Sequence, residues 1–524
     1  MSASDAVPAP FSVAPTWQYD GDDGLWSTFE INLGTPPQTF RVLPSTTTSE
    51  TWVPIPEGCE GILQNIADCG TLRGVNYYQG ESSRGFQTDA SNTWELIGIY
   101  NLATEQNIWG TEGNQGFYGQ DTISLGRYPS GQSVDFLSQI VAGVSTANVW
   151  VGSLGMGTST AGFKVKADGI PSLLSTMKNQ SIIPSLSFGY TVGSSYSSPQ
   201  TPGSLILGGY DQARFKPSDI SFPLGGDDEE TLPVNVQSIV AEDVFGGTLS
   251  LLPGGSSITT IIDSTTSQMW LPQNVCDLFA TAFGLRYDSY TGLYIVNNTI
   301  HNELLDMNPT VTFTLSSTDD AGSNTNIEFP YAAFDLQAGI PLFNLTTNYF
   351  PLRVAQNESQ QVLGRAFLQE AYVFVDWERR NFTISQAIHQ NSTTDIQPVL
   401  SPVRSTSEDS SSLSTGAIVG IAVGAVAIIA SIIGLLIFFK IRSRRRRTAA
   451  HKLDEPTELS DDPMPPPEIM SKQYHELSDA ENSKVELGAN QLTELHGDAW
   501  KNELEGSATL DKYGKEKREY YELP

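Results

Sequence analysis

Two stretches of this chain share one pattern and differ at the position that would carry chemistry. Arg41 to Pro54 reads RVLPSTTTSETWVP, and Thr259 to Pro272 reads TTIIDSTTSQMWLP. Aligned, Ser45-x-Thr47-Thr48-Ser49-x-x-Trp52-x-Pro54 lies over Asp263-x-Thr265-Thr266-Ser267-x-x-Trp270-x-Pro272. Asp263 is an ionisable carboxylate, suited to general acid–base work of the kind that contributes roughly 10²–10⁴-fold to a rate. Ser45 offers only a hydroxyl, which can hold a water but is no base of useful strength at acid or neutral pH. Glu50 is the nearest acid in sequence to Ser45.

Short β-branched or alternating runs bounded by Gly, Pro, Asn and Asp must position these stretches: FEINLG, FRVLP, TISLG, SLILGG, TVTFTL, YVFVDW and FTISQ. Helical periodicity is confined to Pro171 to Lys178 and Pro272 to Phe283. The internal repeat therefore predicts a mostly-β protein of two similar lobes, 26–210 and 211–390, following an N-terminal segment at 1–25.

With 524 residues the chain exceeds a single hydrophobic core, and its net charge of −30 argues against a nucleic-acid partner. Cys59 and Cys69 are close enough in sequence to close a small ring in an oxidising compartment, which leaves Cys276 as a buried free thiol. Gly416 to Phe439 is an unbroken apolar run, longer than the ~20 residues that span a bilayer core. Lys440, Arg442 and Arg444 to Arg447 follow it, and the positive-inside rule places the C-terminus in the cytoplasm. This is a single-pass type I arrangement at the cell surface or along the secretory and vacuolar route. Residues 1–25 hold no apolar run of signal-peptide length, so a secretion signal is expected upstream of residue 1.

The sequons agree with that topology, because Asn179, Asn297, Asn344, Asn357, Asn381 and Asn391 all precede the apolar run. Residues 391–415 read as a Ser/Thr-rich stalk, and 440–524 as a disordered cytoplasmic tail able to engage a cytoplasmic partner. Glu458-Leu459-Ser460-Asp461 and Glu476-Leu477-Ser478-Asp479 recur within the tail.

Over roughly Trp26 to Ala387 the chain resembles the pepsin-like aspartic peptidases, of the membrane-anchored type seen in fungi. Phe29 to Gln38, Gly203 to Asp211, and Leu363 to Leu368 followed by Tyr372 to Asp376 carry the resemblance alongside the two repeated stretches. It implies two β-lobes flanking a central peptide-binding cleft, with no metal and no cofactor. It also implies two aspartates, each on an Asp-Thr/Ser-Gly turn, sharing one proton so that one polarises the scissile carbonyl while the other activates water. Here Asp263-Ser264-Thr265 keeps the acid and lacks the Gly, whereas Ser45-Thr46-Thr47 lacks both. By the same resemblance Thr46 and Ser264 cross-brace the lobes, and Trp109 stands where the flap carries a tyrosine, with Glu112 in place of a glycine. Val149 to Gly152 and Ala355 to Gly364 resemble the segments that back each turn.

The scaffold thus reads as kept and the chemistry as removed. The expected function is that of an inactive or crippled pseudo-peptidase binding a peptide or cell-surface ligand in its cleft. Two alternatives stand beside it: an active acid endopeptidase using Asp263 with a non-standard partner, and a structural cell-surface glycoprotein.

Overall fold

In this computed structural model the described residues are 7–402, save 61–62, 103–113, 164–165, 227–229, 318–321 and 390–392, together with two short strands near the C-terminus. The period-two runs fold as strands that bury alternate side chains. In Trp26–Leu33, Phe29, Ile31 and Leu33 are fully buried and Glu30 is exposed.

The first lobe is an eight-stranded sheet, in which Trp26–Leu33, Gln38–Ser45, Gly152–Gly155, Thr51–Pro54 and Gln132–Val144 are successive neighbours. An additional pairing of Trp26–Leu33 with Gln115–Arg127 folds the sheet back on itself. The second lobe is built on another eight-stranded sheet, where Pro233–Val244, Ile258–Ile262, Val362–Leu363, Met269–Leu271 and Leu352–Val354 follow in order. A six-stranded antiparallel sheet draws on both halves of the chain, running Phe11–Ser12, Ser204–Leu207, Ser187–Thr191, Ala371–Asp376, Asn381–Gln386, Phe222–Pro223. The N-terminal segment set apart at 1–25 is woven into this architecture: Phe11–Ser12 joins that sheet, and Pro15–Asp20 pairs with Trp26–Leu33.

The sequence repeat is a structural repeat. Gln38–Ser45 runs parallel to Gly152–Gly155, which then pairs antiparallel with Thr51–Pro54. Ile258–Ile262 likewise runs parallel to Val362–Leu363, which pairs antiparallel with Met269–Leu271. Each repeated stretch is therefore a strand, a turn and a returning strand, with a distant segment threaded between. The threaded segment must end in glycine. A Cβ on Gly155 would stand 2.6 Å from both Glu50 N and Thr48 O, and one on Gly364 would stand 2.4 Å from Gln268 O. The matching glycine of the first lobe is thus Gly155, beyond the Val149 to Gly152 phrase marked in the sequence.

The two expected helices are Leu173–Asn179, capped by Ser172, and Gln273–Phe283, which buries Val275, Cys276, Phe279, Ala282 and Phe283. A third helix, Asn298–Met307, was not expected from the sequence; Ile300, Leu304 and Met307 recur at helical spacing on it, and Leu304 is its buried residue. Its N-cap is Asn297, whose Oδ1 accepts the Thr299 and Ile300 N–H groups at 3.0 Å.

Cys59 and Cys69 form a disulfide, and Cys276 is free and buried. Among the described residues no helix is long and apolar enough to cross a membrane. The apolar run at 416–439 lies outside those residues, as do Trp109, Glu112 and Asn391. In the second compact unit, residues 411–524, the described backbone is an antiparallel pair of Thr509–Leu510 with Glu516–Lys517.

Candidate active site

The two turns meet where the lobes join. Ser45 closes the strand Gln38–Ser45, Asp263 follows Ile258–Ile262, and neither side chain has exposed surface. Thr46 and Ser264 brace the turns reciprocally. The Thr46 N–H donates to Ser264 Oγ at 3.0 Å, and the Ser264 N–H donates to Thr46 Oγ1 at 3.1 Å. Ser264 Oγ then donates to the Pro44 carbonyl at 2.6 Å, and Thr46 Oγ1 to the Ile262 carbonyl at 3.4 Å. Removing one partner of such a buried bond leaves the other unsatisfied, at about 1–3 kcal/mol.

Asp263 is held by one oxygen. Its Oδ1 accepts the Thr265 N–H at 2.8 Å, while Oδ2 is buried without a hydrogen bond. Burial pushes its carboxyl above the usual range, against the Thr265 N–H, the nearby Thr265 and Thr47 hydroxyls and the Arg365 charge, all of which favour the ionised form. The Thr47 hydroxyl exerts that pull without completing a hydrogen bond. No carboxylate figures among the groups that shift Asp263.

Across from it, Ser45 Oγ lies 2.8 Å from Thr265 Oγ1 and accepts the Thr48 N–H at 3.2 Å. The position opposite the acid is filled by a hydroxyl that is already bonded. A proton-sharing pair needs two carboxyls whose affinities are split by their repulsion. This geometry supplies one carboxyl, raised by burial and ringed by hydroxyls.

Glu50 does not complete a pair. Its Oε2 accepts the Trp52 Nε1–H at 3.1 Å and the Tyr118 hydroxyl at 2.8 Å. Burial raises the Glu50 carboxyl, and the bonds from Trp52 and Tyr118 oppose that rise. Tyr118 was not evident in the sequence, because it lies on the strand Gln115–Arg127 and reaches Glu50 only through the sheet.

A cavity of about 330 Å³ opens on the Asp263 turn, lined by Pro44, Trp52, Ser264, Thr265, Trp270 and Arg365 among others. Arg365 Nη1 donates to the Ser264 carbonyl at 2.8 Å and the Thr265 carbonyl at 3.0 Å, and its guanidinium lies 5.2 Å over the Trp26 ring. From the N-terminal segment Asp23 reaches the same turn. Its Oδ1 accepts Trp26 Nε1–H at 2.9 Å, and its Oδ2 accepts Gln268 Nε2–H at 2.9 Å together with the Ser267 hydroxyl. Nothing in the local sequence marks Asp23 or Arg365 as neighbours of the repeat. Of the six sequons, Asn179, Asn297, Asn344 and Asn357 are exposed and Asn381 is half-buried.

Residues 28–387 match the family profile described as eukaryotic aspartyl protease. Secreted aspartic protease 8 of Candida albicans is 26% identical over 364 residues, covering 69% of this chain and 76% of the relative. Candidapepsin-3 of Candida albicans (strain WO-1) is 23% identical over 363 residues, covering 68% and 78%. Aspartic proteinase 3 of Saccharomyces cerevisiae is 23% identical over 440 residues, covering 72% of each chain. The match spans both repeated turns, their cross-brace and the closing strands, and on that ground the chain belongs to the eukaryotic aspartyl protease family.

Proposed function

We propose that this protein is a membrane-anchored pseudo-peptidase, which binds a peptide or cell-surface ligand in its cleft and does not cut it. The carrying observation is the site itself: Asp263 feels no second carboxylate, and the facing Ser45 hydroxyl is engaged by Thr265 and Thr48. Loss of one member of a general acid–base pair removes about 10²–10⁴-fold in rate. The retained Thr46–Ser264 brace supports a cleft kept for binding.

In this reading residues 26–210 and 211–390 are the lobes, 416–439 the membrane helix and 440–524 a cytoplasmic tail; of the expected stalk at 391–415, Ile396–Pro398 pairs with Gly209–Asp211 and belongs to the fold, which leaves 403–415 as the stalk. The apolar run followed by Lys440, Arg442 and Arg444 to Arg447, with all six sequons before it, supports the type I topology. Relatives named as secreted proteases support entry into the secretory pathway.

One observation favours a second reading, that of a slow acid peptidase: Asp263 Oδ2 is unbonded in the site. Incubating the purified protein with denatured substrate between about pH 3 and 6 decides between the two. No cleavage above that of Asp263→Asn is expected; cleavage abolished by Asp263→Asn would make the protein an active peptidase.

A further inference from the structure

Beside the Asp263 turn the cavity carries N–H donors that no group in the protein uses. Arg353, Arg365 and Trp270 all line it, and Arg353 Nε, Arg365 Nε and Trp270 Nε1 are each buried without a hydrogen-bond partner. Unsatisfied buried donors are few in folded proteins, and three on one cavity wall call for an explanation. Arg353 is the extreme case. Among the described residues its guanidinium makes no hydrogen bond and no ion pair, and its ring contact is with Trp270 at 5.4 Å. Arg353 is half-buried, and its Nε is shut away from solvent without an acceptor.

Asp23 and Asp22 on the same cavity act on Arg353 through space, and neither accepts a hydrogen bond from it. Asp23 has both oxygens occupied, by Trp26 on one side and by Ser267 and Gln268 on the other. Asp22 is held well above the usual carboxylate range, chiefly by burial and then by the neighbouring Asp23 charge. Arg365 has given Nη1 to the Ser264 and Thr265 carbonyls and keeps the rest of its fork. Three N–H donors therefore stand unused on residues around a space large enough for a side chain.

We propose that this cavity binds the carboxylate of an acidic peptide, gripped by Arg353 and seated against Arg365 and Trp270. The proposal rests on the reading of the cleft as a peptide-binding surface and adds the chemistry that the surface selects. A planar carboxylate matches the guanidinium fork in a two-point contact, which an ammonium could not provide. Ser264 and Thr265 of the acid-bearing turn form part of the cavity wall.

The test uses full-length protein in detergent and three probes: a fluorescein-labelled hexapeptide with one Glu, its Gln counterpart, and inorganic phosphate. The Glu peptide is expected to bind about tenfold more tightly than the Gln peptide, phosphate to compete with it, and Arg353→Gln to bring the ratio to about one. Arg353→Lys keeps the charge without the fork and is expected to retain part of the preference. Equal binding of the two peptides by the unaltered protein overturns the anion site and leaves the peptide cleft standing. A preference that survives Arg353→Gln also overturns it. Phosphate binding that depends on Arg353, with neither peptide bound, keeps the anion site and removes the peptide reading. No binding of any probe removes both.

Discussion

If Ser45 is what ended the chemistry, then restoring a carboxylate there should restore cleavage, provided room is made for it. Ser45 has no exposed surface and its Oγ sits 2.8 Å from Thr265 Oγ1, so Ser45→Asp alone forces extra atoms into a packed site. Overpacking of that kind costs about 1–3 kcal/mol. Adding Thr47→Gly and Thr265→Gly removes the two side chains that crowd the pair, and also removes the hydroxyl now bonded to Ser45. In the triple variant two carboxyls share one buried space. Burial already raises the Asp263 carboxyl, and a second carboxyl raises it further, so the pair is expected to keep one proton in acid. Every unit by which the shared proton is held above its ordinary affinity costs about 1.4 kcal/mol at neutral pH and nothing in acid. Two readouts follow. Thermal unfolding of the triple variant should match the unaltered protein near pH 4 and fall below it at pH 7. Hydrolysis of a quenched peptide at pH 3–6 should rise by about 10²–10⁴-fold over the unaltered protein. A variant that shows the pH-dependent unfolding shift, and so has formed the coupled pair, yet cleaves no faster would refute the reasoning. The block to catalysis would then lie elsewhere in the cleft.

The remaining predictions concern the scaffold. Thr46→Val and Ser264→Ala should each destabilise by about 1–3 kcal/mol in chemical unfolding, and the double variant should cost less than the sum, because both remove the same brace. Asp22, Glu50 and Asp263 are all raised by burial, and a raised acid contributes stability that is fully present below its unfolded pKa and lost as pH rises through its folded one. The unfolding midpoint should therefore fall between mildly acid and neutral pH. Glu50→Gln, which keeps an acceptor oxygen for Trp52 and Tyr118, should flatten that slope. Removing the Cys59–Cys69 disulfide, whose cysteines are 10 apart in sequence, should cost about 3 kcal/mol, read as the difference in unfolding midpoint with and without reductant.

What the sequence revealed and what it hid follow one physical distinction. The repeat was legible because each copy is a local strand–turn–strand unit whose spacing survives in the chain, from Ser45 to Trp52 and from Asp263 to Trp270. The cross-brace was legible by resemblance, because Thr46 and Ser264 hold equivalent places in the two copies. The cavity was not legible, because its charged residues come from opposite ends of the folded chain: Asp22 and Asp23 between Pro15–Asp20 and Trp26–Leu33 of the first lobe's sheet, Arg353 and Arg365 near the end of the second. No period or motif relates such residues; only the closing of both lobes brings them together. The helix Asn298–Met307 was legible and passed over: Ile300, Leu304 and Met307 recur at i, i+4 and i+7 behind an Asn297 cap, in a segment only ten residues long.

The replacement of one acid by a serine has a thermodynamic side as well as a catalytic one. Two buried carboxyls sharing a proton favour acid conditions, since forcing the second to ionise sets like charges against each other in a poorly solvated space. With Ser45 opposite, Asp263 faces hydroxyls and the Arg365 charge, and all of these favour its ionised form. The same guanidinium is anchored to the carbonyls of Ser264 and Thr265, so the positive charge is fixed to the turn that carries the acid. A cleft built this way loses less on passing from acid to neutral pH than one holding a dyad. Under the proposed function, that of a surface protein that binds without cutting, this tolerance would be a gain with no catalysis to set against it. The argument turns on one comparison: stability of the unaltered protein should change less between pH 4 and 7 than that of the Ser45→Asp, Thr47→Gly, Thr265→Gly variant. Equal slopes would mean that Ser45 has no such role.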